Sequence, residues 1–243
     1  MHRFFVEQKL QRGEIAIKNE ALARRFFRVL RVWSGETVIF FNGDGFDYVA
    51  RIISISKNEV CMEIVELKKN ERELMATIIV CQGIVRKCRM EWAFEKGVEV
   101  GVSEFMPIIT ERSIEKNLNS VRVAKIIMEA AEQSGRAILP RYWSPVSFFE
   151  AIAECVREDA FGILFDTSSA LTLFLEELSI VVRPYRMKKI YIFIGPEGGF
   201  SKNEVRHAEE AGIKIVHVYP TVLRSETAAV VFPALIIASL VSA

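Results

Sequence analysis

The stretch from Ile190 to Glu204, Ile-Tyr-Ile-Phe-Ile-Gly-Pro-Glu-Gly-Gly-Phe-Ser-Lys-Asn-Glu, constrains the fold more than any other part of the chain. Its first five residues are β-branched or aromatic and predict a fully buried strand. Gly195-Pro196 stops that strand, and Gly198-Gly199 opens backbone conformations closed to other residues. Ser201 and Glu204 have capping-box spacing, so a helix is expected to begin there. Strand, glycine loop and helix N-terminus form the unit with which α/β proteins build small-molecule pockets. This loop carries a carboxylate, Glu197. It has neither Gly-Lys-Ser/Thr nor Gly-x-Gly-x-x-Gly, which disfavours ATP and dinucleotides.

A second stretch, Val216 to Ala228, completes the centre. It reads as a short strand (Ile213 to Val218), a turn at Pro220 and a helix opening near Ser225. Glu226 falls in that helix's first turn, where the dipole favours a carboxylate.

Around this centre the chain alternates strands and helices. Strands are expected at Thr77–Gly83, Phe105–Ile109 and Phe161–Phe165. Helices are expected at Lys87–Val100, Val121–Gln133, Val146–Val156 and Leu171–Leu178. This rhythm predicts a mostly parallel sheet with helices on both faces. Ligands in such sheets bind at the carboxyl ends of strands. Asp166, Ile194 to Gly199 and Val218 to Leu223 all fall there. Asp166 fits either a ligand contact or a helix N-cap. Glu197 fits either a ligand's amine or hydroxyl, or a cap on a neighbouring N–H. Arg224 and Glu226 fit either a mutual ion pair or a catalytic role. His207 and His217 carry no catalytic weight.

Residues 1–70 read differently. Thr37–Phe41, Tyr48–Ile55 and Val60–Val65 are short β-rich runs, and Asn42-Gly-Asp-Gly45 is a hairpin connection. Strands so close in sequence predict a small β-barrel. A helical interruption at Glu20–Arg31 places Arg24, Arg28 and Arg31 at i, i+4 and i+7, with Arg25 beside them and Phe26 and Leu30 facing inward. A basic stripe over an apolar foot suits a phosphate backbone, and it also suits a solvated surface. Arg86-Lys-Cys-Arg89 puts positive charge at a helix start, where the dipole disfavours it; this fits an anion partner, and it fits a solvated cluster equally. Glu66–Arg72 reads as a linker.

Charge adds little at first sight, because the net value is +1. Residues 1–70, however, hold 12 Lys and Arg against 9 Asp and Glu, a balance of +3, and the remainder holds 20 against 22. The four cysteines (61, 81, 88, 155) show no Cys-x-x-Cys pair, so no metal site or disulfide framework is expected. They read as buried thiols in a reducing cytoplasm. The longest apolar run, Ala228 to Ala243, falls short of the ~20 residues of a membrane span. It reads as a buried or dimer-interface helix.

Gly195-Pro-Glu-Gly-Gly199 and Leu223-Arg-Ser-Glu-Thr227 resemble the two signatures of the ribosomal RNA small-subunit methyltransferase E family, which belongs to the SPOUT methyltransferases. Arg3-Phe-Phe5, Val29-Leu-Arg31, Glu99 to Val102, Glu111-Arg-Ser113 and Ala130 to Arg136 resemble further family motifs in the same order. The resemblance implies an α/β fold: a PUA-like β-barrel that binds RNA (residues 1–70), then a SPOUT domain with a C-terminal trefoil knot (residues 71–243). It implies S-adenosylmethionine as cofactor, held near Asp166, Ile194, Gly195, Pro196, Glu197, Gly198, Gly199, Val218, Tyr219 and Leu223. Arg224 and Glu226 are the implied catalytic pair. Arg3, Arg24, Arg25, Arg28, Arg31, Arg86, Lys87, Arg112 and Arg136 are implied for RNA. The implied reaction is N3 methylation of a uridine in 16S ribosomal RNA within the assembled 30S subunit, by a cytoplasmic homodimer. Tyr219 and Thr221 depart from the family's Leu-Gly-x-Arg-Ile-Leu-Arg. They motivate two alternatives: a non-catalytic ribosome-assembly factor, or a methyltransferase of the same fold acting on another RNA.

Overall fold

The computed structural model describes residues 1–113, 117–167, 175–185, 188–217 and 221–241. They cluster into two compact units, Met1–Glu73 with Ala131–Leu139, and Leu74–Ala130 with Pro140–Ala243.

In the first unit, strands β1 (Arg3–Phe5), β2 (Gly13–Lys18), β3 (Thr37–Phe41), β4 (Phe46–Ile55) and β5 (Glu59–Lys69) bond in the order β1-β3-β4-β5-β2. Side chains alternate across a strand. Val38 and Phe40, then Ala50 and Ile52, then Val60, Met62 and Ile64 therefore enter one core with Phe4 and Phe26. Among the described residues no ladder joins β1 to β2, so the expected barrel is open along that seam. The β3–β4 hairpin turns where Gly43 and Gly45 take φ of 91° and 87°. Glu66–Lys69, expected as linker, is the end of β5. Its backbone pairs with Phe46–Val49, and that pairing outweighs its charged composition.

Helix α1 (Glu20–Arg24) is capped by Asn19, whose side chain accepts from Leu22 N at 3.0 Å. From Arg25 to Leu30 the helix widens into a π-helical turn, which ends at Arg31 in the left-handed region (φ 53°). The 3.6-residue spacing expected to align Arg24, Arg28 and Arg31 therefore does not hold. Residues 131–139 also belong to this unit. Glu132 accepts from Phe5 N at 3.0 Å, and Asn70 Nδ2 donates to the Gly135 carbonyl at 3.0 Å.

The second unit contains β6 (Thr77–Gly83), α2 (Lys87–Val100), β7 (Glu104–Ile109), α3 (Ser120–Ser134, whose last turn enters the first unit), β8 (Arg141–Tyr142) and β9 (Val146–Ser147). It continues with α4 (Phe148–Arg157), β10 (Phe161–Phe165), α5 (Leu175–Val182), β11 (Lys189–Ile194), α6 (Lys202–Glu210), β12 (Lys214–Val216) and α7 (Ser225–Val241). Its strands are ordered β12-β10-β11-β6-β7-β8, with β9 also on β7, and every ladder is parallel. Alternate residues of β11 feed two cores. Ile190, Ile192 and Ile194 join α7 and Ala93 of α2 on one face, and Tyr191 and Phe193 join α4 and α6 on the other. A continuous apolar strand is the signature of burial on both faces.

Ser147 and Glu150 form a capping box, so α4 begins at Phe148 rather than at the expected Val146, which pairs with β7 instead. Gly101 ends α2 with φ 109°, a left-handed stop that suits glycine. Cys88, expected among the buried thiols, is exposed in the first turn of α2. Among the described residues no helix is long and apolar enough to cross a membrane.

Candidate active site

The carboxyl ends of β6, β10, β11 and β12 meet in the second unit, and three glycines let their loops approach closely. After Ile194 the chain makes a turn closed by Gly199 N donating to the Pro196 carbonyl at 2.9 Å. Gly199 takes φ of 67° there. A Cβ on Gly195 would stand 3.1 Å from the Gly199 backbone. One on Gly83, at the end of β6, would stand 2.5 Å from Pro196 N. The backbone of this loop is thus packed against β6 with no space for a methyl group.

Two polar networks fix the loop's flanks. Ser201 and Glu204 form the expected capping box at the start of α6, with Ser201 N donating to Glu204 at 2.8 Å. The second carboxylate oxygen of Glu204 accepts from Glu111 N at 2.9 Å, which ties the β7 loop to the same helix. On the other flank Ser225, the first residue of α7, donates to the Gly195 carbonyl and accepts from Gln82 Nε2 at 2.7 Å. Gln82 also donates to the Gly83 carbonyl at 2.7 Å. Neither Gln82 nor Gly83 was singled out from sequence. The available signal was a glutamine and a glycine closing an otherwise apolar strand.

These loops enclose a cavity of about 460 Å³, within the size range of small-molecule sites. Its floor is apolar, with Ile194, Val216 and Leu223 beside Phe165 and Phe232, whose rings stack at 3.8 Å. Its polar edge includes Asp166, Glu197 and Arg224. Asp166, Ile194, Gly195, Pro196, Glu197, Gly198, Gly199 and Leu223 all line it, as the strand-end argument required. Val218 and Tyr219 lie outside the described residues, as does the Pro220 turn.

Arg89 of α2, which also lines the cavity, organises its acids. It faces Glu197 at 3.0 Å and Glu226 at 3.6 Å. Glu226 therefore pairs with Arg89 and not with Arg224, and it stands behind the cavity wall rather than in it. Its second oxygen is buried with no hydrogen-bond partner. Arg224 is exposed at the cavity's lip. Arg112 donates to the Gly198 carbonyl at 2.6 Å and braces the glycine loop.

Neither Cys81 nor Cys155 lines this cavity. Burial pushes the Cys81 thiol well above its ordinary value and the Cys155 thiol up to about 12, so both stay protonated at neutral pH. Among the described residues no group of His, Cys, Asp and Glu could hold a metal ion.

The basic residues expected to meet RNA differ in burial. The side chains of Arg3 and Arg136 are largely buried, each against a carboxylate. Arg3 grips Asp47 with two bonds, at 2.7 and 2.8 Å, and Arg136 pairs with Glu73 at 2.8 Å. Arg25 is half-engaged, pairing with buried Glu132 at 2.7 Å. Arg24, Arg28, Arg31, Arg86, Lys87 and Arg112 are exposed, and Arg24 pairs with Glu20 one turn earlier.

Comparison with known proteins follows the same division of the chain. A family model described as an RNA methyltransferase domain matches residues 72–237, and one described as an RNA methyltransferase PUA domain matches residues 26–65. The chain is 30% identical to the ribosomal RNA small subunit methyltransferase E of Aquifex aeolicus, over 95% of this chain and 96% of that one. It is 29% identical to that of Bacillus subtilis, over 94% and 93%. Among solved structures, a ribosomal RNA small subunit methyltransferase E from Neisseria gonorrhoeae bound to S-adenosyl methionine superposes with a TM-score of 0.84. It is 28% identical, and the match covers 96% of this chain and 95% of that chain.

Proposed function

Because the chain belongs to the ribosomal RNA small subunit methyltransferase E family, we propose that it is an S-adenosylmethionine-dependent methyltransferase of ribosomal RNA. Its target in this reading is N3 of one uridine in the small-subunit RNA. The observation that carries the proposal is the strand-end cavity of about 460 Å³. Its glycine loop lies along the cavity without side chains to fill it, its aromatic floor suits an adenine, and its carboxylates suit hydroxyl and amine groups.

The cofactor supplies an electrophilic methyl group. The chain's residues would do the rest. Ile194, Leu223 and the Gly195–Gly199 backbone would hold the adenine, while Asp166 and Glu197 would take the cofactor's hydroxyl and amine groups. Val218 and Tyr219 belong to the same proposed set. The target base must leave its stack to enter such a cavity. N3 of uracil must lose its proton, and Arg224, at the lip, is placed to stabilise the negative charge that develops on the base. Glu226 acts through Arg89, holding that guanidinium against Glu197. It is a positioning residue here, and no general base is assigned.

RNA in this reading is met by Arg24, Arg28, Arg31, Arg86, Lys87 and Arg112, with Arg25 partly available. The trefoil knot, the homodimer, the assembled 30S substrate and the cytoplasmic location belong to the same proposal. The small net charge supports a structured ribosomal substrate over naked RNA.

Nucleoside mass analysis tests the reaction. Small-subunit RNA from a deletion strain should lack 3-methyluridine, and the wild-type gene should restore it whereas Glu197→Ala should not. Unchanged 3-methyluridine in the deletion strain would overturn the assigned reaction.

A further inference from the structure

The first unit contains a second cavity, of about 360 Å³, between the α1 π-helical turn and the tip of the β4–β5 hairpin. Phe27 forms one wall. It follows Phe26, which is completely buried, yet Phe27 itself is 72% exposed. Ala23 and Ile55 form the apolar base, and Arg24, Arg28 and Lys57 surround the opening with one carboxylate, Glu20. Glu20 is committed to Arg24 at 2.6 Å, and among the described residues Arg28 and Lys57 have no carboxylate partner. Three cations against one acid leave a net charge of +2 around a flat exposed ring.

We infer that this cavity is a stacking site for an unpaired base of single-stranded RNA. The base lies on Phe27 and its flanking phosphates meet Arg28 and Lys57. Single-strand binders combine these elements: an aromatic face that accepts any base, and cations that follow the backbone. A π-helical turn, which often marks a functional position, presents the ring. Charge complementarity favours a polyanion over a neutral partner, and the exposed ring favours RNA over an acidic peptide. This inference rests on the reading of the protein as an RNA methyltransferase.

The test is fluorescence anisotropy of a short, fluorescein-labelled single-stranded RNA of mixed sequence. It compares the wild type with Phe27→Ala, Phe27→Leu, Phe27→Trp and Trp33→Ala. Trp33 is also exposed, at 67%, but lies outside this cavity, so it controls for surface apolarity. Loss of one base–aromatic stack predicts roughly five- to a hundredfold weaker binding for the Ala and Leu variants. Phe27→Trp and Trp33→Ala should bind within about twofold of wild type, because a stacking face is kept in the first and none is lost in the second. Equal affinity of wild type and Phe27→Ala overturns the inference, and so does full retention by Phe27→Leu, which would mean apolar contact rather than stacking. Competition by polyglutamate as strong as by unlabelled RNA would assign the surface to protein instead. Calorimetric titration with S-adenosylmethionine on the same preparations keeps the two readings separate. Absent RNA binding with intact cofactor binding fails the stacking site alone, whereas absent cofactor binding fails the methyltransferase reading.

Discussion

In the N-terminal unit, charge is part of the architecture: Arg3, Arg136 and Arg25 each hold a carboxylate that is itself largely buried. In the C-terminal unit the candidate site rests mainly on backbone. Gly83, Gly195 and Ser225 bring three chain segments into direct contact, and charged side chains enter only at the rim. The same residue types thus do different work. An arginine in the first unit is identified by the acid it meets, and a glycine in the second by the space it leaves. Substitutions should accordingly fail in different ways, as folding defects in the first unit and as ligand-binding defects in the second.

The largest difference should come from two arginines of one unit. Arg3→Ala leaves Asp47 buried without its bidentate partner and should cost ~3–5 kcal/mol of stability, read by urea unfolding. Arg28→Ala, on the exposed π-helical turn, should stay within ~0.5 kcal/mol. Equal effects would break the division into architectural and surface arginines.

Next comes Gly83→Ala, whose new methyl meets Pro196 backbone that cannot swing away. Overpacking of this kind costs ~1–3 kcal/mol. Because the strain falls on the pocket loop, cofactor affinity should drop by more than stability alone explains. Calorimetry alongside thermal melting separates the two, and an unchanged affinity would show that the loop position is not critical.

Ser225→Ala removes the hydroxyl between Gln82 and the Gly195 carbonyl and leaves buried groups unpaired, for ~1–3 kcal/mol. Gln82→Leu should lose less when combined with Ser225→Ala than the two single losses predict, since both belong to one network. Strict additivity would dissolve the network.

A smaller effect should come from Arg112→Ala, which removes a single exposed bond that braces the Gly198 carbonyl of the pocket loop, worth ~0.5–1.5 kcal/mol of cofactor binding. Its expected signature is weaker cofactor binding with an unaltered melting temperature.

The pocket was legible in the sequence because its parts are local. Ile190–Ile194, the two glycines and the Ser201/Glu204 box each announce their conformation within a few residues, and parallel-sheet geometry then gathers strand ends on one side. The arginine classes were not legible, because their deciding partners are distant in the chain: Asp47 for Arg3, Glu73 for Arg136, and Glu132 for Arg25. The i, i+4, i+7 argument for Arg24, Arg28 and Arg31 presumed 3.6 residues per turn, and the π-helical widening removes that premise. Gln82 was missed as part of the site because strand membership describes it fully until the loops close over it, and Arg89, legible only as one of a basic cluster at a helix start, meets Glu197 and Glu226 across the fold. Glu226 was read against its sequence neighbour Arg224, whereas the fold gives it Arg89 from another helix.

The measurement that bears most directly on the central claim is calorimetric titration of the purified protein with S-adenosylmethionine, in parallel with Glu197→Ala. A strand-end cofactor pocket predicts saturable one-to-one binding, weakened at least several-fold by the substitution, with the melting temperature of the free protein nearly unchanged. Absence of binding at millimolar cofactor, or identical binding by Glu197→Ala, would contradict it.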